Sequence, residues 1–369
     1  MKVSGVPNRV LVIRTDKTGD LLLTMPAIRA VRRAFPSAHL TVLASPYNAP
    51  VLRGWHVPDR VELYDPGWPF RRRWRVAQHL RREGFDLCLV LHSSLQAYVV
   101  ARLTGAPTRA GVVIARRMID RLFAPALLTD RWFSRIEAAA SHGLPVLHEV
   151  EMTRHVLSCV GIPWAGDELE VPLEPEAVRW AEALVSRHFP AAAPLVGLQV
   201  SAKWLADGWS IDQLGELVEM ILSRRPEVRL LLTCGPGDGE TAAGLRIVSG
   251  VGASRGAATG GEVTIGWDGR AALVPVDFPR WAAVLASCAV VLSPATGAMH
   301  VAAALGRPVV GVYAVYRFAI DCQQFAPWRV PHRVLCAGPF VEVAPAIVRA
   351  VEDLLDQERA RASPSACSS

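Results

Sequence analysis

The sequence predicts an α/β protein of two Rossmann-like domains in tandem, with parallel sheets that face each other across a cleft. At 369 residues the chain is longer than the size at which single cores stop growing, so two domains are expected. In both halves, short β-branched runs alternate with longer amphipathic stretches, which is the pattern of βαβ units. Open parallel sheets bind ligands at the carboxyl ends of their strands, so functional motifs should follow strands.

The first half is expected to form one parallel sheet up to about residue 113. Its predicted strands cover residues 10–13, 40–43, 61–64, 86–91 and 109–113, and its predicted helices cover 21–35, 71–83 and 95–103. Arg, Gly and Pro residues interrupt any single period in 114–146, where we expect loops with short helices. Helical spacing resumes at 148–160 and stops at the Gly- and Pro-containing segment 161–166, the candidate linker.

A second alternation follows the linker. Its predicted strands cover residues 195–200, 228–234, 289–292 and 309–313, and its predicted helices cover 210–224, 238–248, 277–287 and 298–304. The predicted domains are therefore residues 1–166 and 167–340. An amphipathic helix is expected at 341–358, before a Ser- and Ala-rich tail at 359–369 that has the composition of a disordered terminus.

The composition is that of a globular protein, with 51% hydrophobic and 20% charged residues. No apolar run approaches the roughly 20 residues that a membrane-spanning helix requires. The N-terminus lacks an apolar stretch followed by a small-residue cleavage site, so a cytoplasmic location is expected. Seven cysteines without a CxxC pair favour buried reduced thiols over a disulfide framework or a zinc site.

Positive charge is concentrated in the first half. Residues 1–170 hold 23 Lys and Arg against 15 Asp and Glu, whereas the remainder hold 17 against 19. The densest part contains Arg71, Arg72 and Arg73, which predicts either a face that meets an anionic partner or membrane surface, or an ordinary solvated helix face.

The first motif, Arg14-Thr-Asp-Lys-Thr-Gly-Asp20, joins a predicted strand to a predicted helix. Gly19 permits a tight turn close to a ligand. Asp20 is either a helix N-cap or a general base that accepts the proton of an attacking hydroxyl. Apart from Asp16, no second carboxylate follows in this loop, so direct displacement with inversion fits better than a two-carboxylate hydrolase.

The second motif, Ser293-Pro-Ala-Thr-Gly-Ala-Met-His300, also follows a strand. Thr296 and Gly297 fall at a predicted helix N-terminus, where free backbone N–H groups favour a diphosphate. The alternative is a helix whose small residues serve only close packing. His300 is either a core residue or a ligand to phosphate or sugar.

A third motif follows the strand at 195–200 and contains Ser201 and Lys203. Lys203 can neutralise the charge that develops on a departing diphosphate, although most lysines are simply surface residues. After the strand at 228–234, Glu240 or Asp238 could bind ribose hydroxyls or begin the next helix.

Several enzyme classes lack their signatures here. GxGxxG, GxxxxGK[ST], HExxH and GxSxG do not occur in the required strand and helix context, which disfavours dehydrogenases, P-loop kinases, zinc proteases and serine hydrolases. No Asp-x-Asp pair follows a strand, so a metal ion is not implied.

The motifs together resemble the ADP-heptose:lipopolysaccharide heptosyltransferases, glycosyltransferase family 9. The most specific matches are the Val10–Ile28 stretch and the Thr296–Gly306 stretch. The resemblance implies a GT-B fold whose first domain binds the acceptor and whose second binds the nucleotide sugar. It implies transfer of a sugar, heptose from ADP-heptose, to a hydroxyl of a lipopolysaccharide-core-like acceptor, with the nucleotide sugar as co-substrate and no cofactor.

The resemblance also implies residue roles. Asp20 corresponds to the family's proposed base. Gly19, Ser201, Lys203, Thr296, Gly297 and His300 are the candidates for donor and phosphate binding. The arginines at 71–73 are candidates for an anionic, lipid-linked acceptor at the inner face of the cytoplasmic membrane, and nucleic acid is not an expected partner.

Two positions depart from the family pattern. Many members have Asp directly before the Thr-Gly pair, where this chain has Ala295, and many have Lys shortly before the residue matching Trp209, where this chain has Asp207 and Gly208. Lys203 is the candidate replacement for that cation. Two alternatives stay open from the sequence: a sugar-nucleotide epimerase of the same architecture, and a nucleotide-sugar-binding protein without catalysis.

Overall fold

The computed structural model describes residues 5–235, 238–250, 258–260 and 263–362. The chain divides into two compact units, Met1–Pro172 with Gln323–Phe325, and Leu173–Cys322 with Ala326–Ser369. Of the tail expected at 359–369, residues 359–362 lie in a helix and the rest lie outside the described residues.

The first unit contains a six-stranded parallel sheet of order β3-β2-β1-β4-β5-β6. Its strands are β1 (Arg9–Ile13), β2 (His39–Ala44), β3 (Arg60–Leu63), β4 (Leu87–Val90), β5 (Thr108–Ile114) and β6 (Asp130–Ser134). Strands β2 and β3 lie on one side of β1, and strands β4, β5 and β6 lie on its other side. The neighbours β1 and β4 therefore form the topological switch point, where open sheets of this kind bind ligands.

Seven α-helices accompany this sheet among the described residues. They are α1 (Thr18–Leu22), α2 (Met25–Ala34), α3 (Phe70–Glu83), α4 (Leu95–Leu103), α5 (Met118–Leu127), α6 (Ile136–Ser141) and α7 (Glu149–Cys159). The single helix expected at 21–35 is two helices. Pro26 lacks an N–H and stands in the first turn of α2, the position that tolerates proline, so a new helix begins there.

Residues 114–146 contain the expected short helices, α5 and α6, but also a strand that was not expected. This strand, β6, pairs in parallel with β5 from Ala110–Asp130 to Ile114–Ser134. On β6, Trp132 stacks on His155 of α7 with ring centroids 4.8 Å apart. The sequence of β6 lacks a clear alternation of apolar and polar residues. Its formation as a strand therefore depends on contacts with residues that are distant in sequence.

The second unit contains an eight-stranded sheet of order β14-β13-β12-β7-β8-β11-β10-β9. Its strands are β7 (Leu195–Val200), β8 (Arg229–Cys234), β9 (Ala258–Gly260), β10 (Val263–Gly266), β11 (Ala271–Leu273), β12 (Val290–Pro294), β13 (Val309–Tyr313) and β14 (His332–Cys336). The pairs from β14 to β11 are parallel, and β10 and β9 are added antiparallel. Strands β9, β10, β11 and β14 were not expected. The switch point of this sheet lies between β7 and β12.

The helices of the second half enclose a large apolar core. They are α8 (Pro175–His188), α9 (Ala202–Ala206), α10 (Ile211–Arg224), α11 (Asp238–Ser249), α12 (Phe278–Ala286), α13 (Gly297–Ala304), α14 (Phe318–Gln324) and α15 (Phe340–Ala362). The strands and the inner faces of α10 and α15 bury Val, Leu and Ile side chains together. Within the described ranges, no helix combines the length and apolarity needed to cross a membrane.

Candidate active site

The switch point of the first unit carries the Gly-Asp motif. Strand β1 ends at Ile13, and α1 begins five residues later at Thr18 with Lys17 as its N-cap. Asp20 lies in the first turn of α1 and is not the cap. Asp20 is therefore not the N-cap residue; its carboxylate accepts a backbone hydrogen bond from Lys17 and lies beside a neighbouring cation.

That cation is Arg14, which is only 2% exposed. Its Nη2 lies 3.4 Å from Oδ1 of Asp20, and its Nε donates to Oδ1 of Asp16 at 2.9 Å. Its Nη1 donates to Oε1 of Glu149 at 2.8 Å and also to the carbonyl of Leu91, which follows β4. One guanidinium thus faces three carboxylates at the switch point. A planar guanidinium, with five N–H donors, can pair with several carboxylates at once better than an ammonium can.

Glu149 is held rigidly at the start of α7. Its side chain is buried, and its Oε2 accepts a hydrogen bond of 2.9 Å from Nε2 of Gln324. The preceding residue, His148, caps the helix by accepting from the N–H of Val150 at 3.2 Å. Because both carboxylate oxygens of Glu149 have fixed donors, Glu149 orients Arg14 and is not itself available as a base.

The network sets the protonation of its members. Burial, and after it the charge of Asp16, raise the pKa of Asp20 to about 6, against the opposing charges of Arg14 and Lys17 and a backbone hydrogen bond from Lys17. Burial also raises the pKa of Asp16. Burial lowers the pKa of Arg14, but the three carboxylates raise it by more, so the guanidinium stays charged. Asp20 is therefore largely ionised at pH 7 and more basic than an ordinary carboxylate.

His92 borders the same loop. Its Nε2 lies 3.5 Å from Oγ1 of Thr15. Burial and the charge of Arg14 lower the pKa of His92 to about 3. The imidazole is therefore neutral at physiological pH and adds no positive charge beside Asp20.

The switch point of the second unit brings two other motifs together. Nζ of Lys203 donates to the carbonyl of Ala295 at 2.6 Å, which joins the segment after β7 to the segment after β12. Thr296 is the N-cap residue of α13, and Gly297 is its first residue. Oγ1 of Thr296 lies 3.0 Å from Oγ of Ser293. An ammonium and the N–H groups of a helix start thus share one edge of the sheet, a combination suited to a phosphate.

Local packing fixes the position of Lys203. Ser201 caps α9 by accepting from the N–H of Lys203 at 3.3 Å. Trp204 is buried, donates from its indole to the carbonyl of Gln199 at 2.9 Å, and lies 5.1 Å from the ring of Trp209. The tryptophans therefore anchor the short helix that carries the cation.

His300 is buried within α13, with 5% of its surface exposed. It lies one turn after Gly297, on a helix whose buried residues include Ala298, Val301 and Ala302. The imidazole is therefore near the N-terminus of α13 in sequence, but it lies on the buried side of the helix.

The carboxylate of Glu240 accepts hydrogen bonds from two backbone N–H groups. Its Oε1 accepts from the N–H of Ala202 at 2.9 Å and its Oε2 from the N–H of Gly235 at 2.7 Å. A Cβ at position 235 would lie 2.5 Å from Oε2 of Glu240, so any larger residue there would displace the Glu240 carboxylate. Glu240 therefore ties the ends of β7 and β8 together, while the side chain of Asp238 lies outside the described residues.

The arginines at 71–73 occupy the first turn of α3. Arg71 and Arg72 are exposed, and Arg73 is half-buried. The guanidinium of Arg72 lies 3.4 Å from the ring centroid of Trp68, a cation–π contact that holds it on the surface. This turn of α3 is a basic, solvent-accessible surface.

The structure thus gathers the sequence-predicted residues into two groups. Gly19 and Asp20 lie at the switch point of the first unit, and Ser201, Lys203, Thr296, Gly297 lie at that of the second. Sequence reasoning missed the roles of Arg14 and Glu149. A buried arginine directly after an apolar strand is a signal for the first, whereas Glu149 is 135 positions away from Arg14 and carries no local signal.

Comparison with known proteins now decides the family. The family model for glycosyltransferase family 9 (heptosyltransferase) matches residues 73–338. The chain belongs to this family. Lipopolysaccharide heptosyltransferase 1 of Pseudomonas aeruginosa is 26% identical over 319 residues, which cover 83% of this chain and 78% of that protein.

Solved structures of family 9 share the fold. A glycosyl transferase family 9 protein from Veillonella parvula superposes with a TM-score of 0.73 at 18% identity, covering 95% of this chain and 98% of that chain. ADP-heptose lps heptosyltransferase II from E. coli gives a TM-score of 0.69 at 20% identity, covering 95% and 99%. The predicted fold class, GT-B with two Rossmann-like domains, is confirmed, and the family 9 protein is a glycosyltransferase.

Proposed function

We propose that this family 9 enzyme moves heptose from ADP-heptose to a hydroxyl of a lipopolysaccharide-core-like acceptor, with inversion at the anomeric carbon. Two relatives support the choice of substrates. The similar Pseudomonas protein is named a lipopolysaccharide heptosyltransferase, and the similar E. coli structure an ADP-heptose lps heptosyltransferase. The choice of mechanism follows from the residues at the two switch points.

The single observation that carries the mechanism is the Asp20 carboxylate at the switch point of the first unit. It is 17% exposed, lies beside Arg14, and has a pKa raised to about 6. In the proposed step, the acceptor oxygen attacks the anomeric carbon, the bond from that carbon to the phosphate oxygen breaks, and the acceptor proton passes to Asp20. A base with a pKa near but below the working pH is both ionised and able to take the proton.

The donor diphosphate is proposed to bind at the switch point of the second unit. Thr296 and Gly297 form the start of α13, and Lys203 lies beside them through its hydrogen bond to the Ala295 carbonyl. These groups offset the charge that develops on ADP as it departs. Ser201 positions Lys203, and His300 is proposed to contact the phosphate or sugar from within α13.

The acceptor is proposed to be anionic and lipid-linked, and to meet the enzyme at the inner face of the cytoplasmic membrane. The exposed arginines of α3 support this, since guanidinium groups pair with phosphate and carboxylate in a bidentate manner. Transfer requires that the donor sugar and the acceptor hydroxyl beside Asp20 meet during the reaction.

The test is a donor panel with product analysis. Purified enzyme is incubated with a lipopolysaccharide-core acceptor and ADP-heptose, or with UDP-, GDP- or dTDP-linked sugars. ADP-heptose is expected to give the highest kcat/KM and a product of inverted anomeric configuration. Preference for another nucleotide would contradict the donor assignment, retention would contradict direct displacement, and ADP binding without turnover would indicate a binding protein.

A further inference from the structure

Helix α5 (Met118–Leu127) has its apolar side outward. Its largest apolar side chains are strongly exposed: Met118 at 72%, Leu122 at 71%, Ile119 at 61% and Phe123 at 48%. At 100° per residue, these four positions form one continuous stripe of the helix. A surface helix normally turns such a stripe toward the core, so this arrangement calls for a partner outside the chain.

The inward side of α5 confirms that the helix is firmly seated in this orientation. Asp120 and Ala124 are the buried residues of the helix. The Asp120 carboxylate accepts hydrogen bonds from Oγ of Ser93 at 2.9 Å and from the N–H of Leu95 at 3.1 Å. A rotation of α5 that buried the apolar stripe would break these hydrogen bonds and expose the Asp120 carboxylate. The outward position of the stripe is therefore fixed by the fold.

The charges around the stripe have one sign. Arg116 and Arg121 are exposed beside it, whereas Arg117, also exposed, turns its Nη1 inward to donate to the carbonyl of Ser93 at 2.6 Å and lies 3.6 Å from Asp120. Asp120, the one acidic residue from position 115 to position 129, points inward. The outer surface of α5 therefore combines large apolar side chains with arginines, the composition of helices that lie in the headgroup region of an anionic bilayer.

We propose that α5 is a membrane-docking helix that inserts its apolar stripe into an anionic lipid surface, with Arg116 and Arg121 at the headgroups. A second copy of the chain fits less well. A two-fold contact through this stripe would bring Arg116 and Arg121 of one copy toward those of the other, and the outer surface of α5 offers no acidic side chain to separate them. This surface extends the proposed function, which rests on a lipid-linked acceptor, by assigning the residues that hold the enzyme at the membrane.

The experiment is vesicle co-sedimentation of the full chain, without donor or acceptor. Vesicles of phosphatidylcholine alone are compared with vesicles of equal parts phosphatidylcholine and phosphatidylglycerol. Wild type is expected to bind the anionic vesicles and to be released at about 1 M salt, where the Debye length falls to about 3 Å. Absence of binding to either vesicle would overturn the proposal.

Two double variants separate the apolar and the charged contributions. L122E/F123E is expected to lower vesicle affinity about tenfold or more for each side chain withdrawn from the bilayer. R116Q/R121Q is expected to lower affinity for anionic vesicles on the order of fivefold per arginine. These side chains are exposed, so the variants should unfold at the wild-type temperature.

Matched controls come from exposed residues elsewhere. Val341 on α15 is 78% exposed and Arg187 on α8 is exposed, so V341E and R187Q should bind vesicles as wild type does. Equal vesicle affinity of L122E/F123E and wild type would overturn the proposal. So would a wild-type dimer in sedimentation velocity that L122E/F123E converts to monomers, because the stripe would then be a contact between copies.

The outcome is independent of the proposed transfer reaction. An enzyme that glycosylates a detergent-solubilised acceptor but ignores vesicles would overturn the docking helix alone. A chain that binds vesicles through α5 but transfers no sugar would instead contradict the proposed function.

Discussion

The two sheets use the same topological position for opposite charges. At the switch point between β1 and β4, Arg14 is enclosed by three carboxylates, and one of them, Asp20, remains partly exposed. At the switch point between β7 and β12, the ammonium of Lys203 lies against the segment that starts α13. Strand order therefore supplies the location, while the few residues after each strand decide whether carboxylates around an arginine or an ammonium beside a helix start are placed there.

The substitution Asp20→Asn should have the largest effect. It keeps the shape of the side chain but removes the proton acceptor, so kcat should fall about 10²- to 10⁴-fold while ADP affinity stays within about twofold of wild type. Steady-state kinetics and calorimetry measure the two quantities. Glu176 is likewise an acid in a first turn, that of α8, so Glu176→Gln is the matched control and should keep full activity. An Asp20→Asn enzyme with the wild-type kcat would remove Asp20 from the mechanism.

Lys203→Met should have an intermediate effect of a different kind. A hydrogen bond to a charged group contributes roughly 1.5–3 kcal/mol, so kcat/KM and ADP affinity should each fall roughly 10- to 100-fold. Lys203→Arg, which keeps the positive charge, should recover part of the loss. Unchanged ADP affinity in Lys203→Met would contradict the proposal that the donor diphosphate binds beside Lys203 at the switch point of the second unit.

Most of the fold could be predicted from the pattern of apolar runs. Strands such as β1 and β7 are continuous β-branched or leucine-rich runs that are buried on both faces. Such runs are typical of strands in parallel sheets, so both strands could be predicted from the sequence. The three-residue strands β9 and β11, with sequences ATG and AAL, have no such pattern. Their pairing with neighbouring strands supplies what their own sequences lack, so local propensity could not reveal them.

The candidate site was predictable where a motif and its strand are adjacent in sequence. The Gly-Asp turn and the Thr-Gly helix start fall into this class. The Lys203–Ala295 contact spans 92 positions, and the Arg14–Glu149 contact spans 135. Contacts of this length depend on how the chain folds back, so the roles of Ala295 and Glu149 emerged only from the structure.

The pH dependence of kcat/KM tests the central claim most directly, because its acidic limb reports the pKa of the base in the free enzyme. Burial raises the pKa of Asp20 to about 6, and protonation of Asp20 removes the acceptor for the hydroxyl proton. The rate should therefore be level above that pH and fall about tenfold per pH unit below it, and the residual rate of Asp20→Asn should lack this limb. A wild-type profile that stays flat down to pH values near the ordinary carboxylate pKa of about 4, or a limb that persists in Asp20→Asn, would contradict the account.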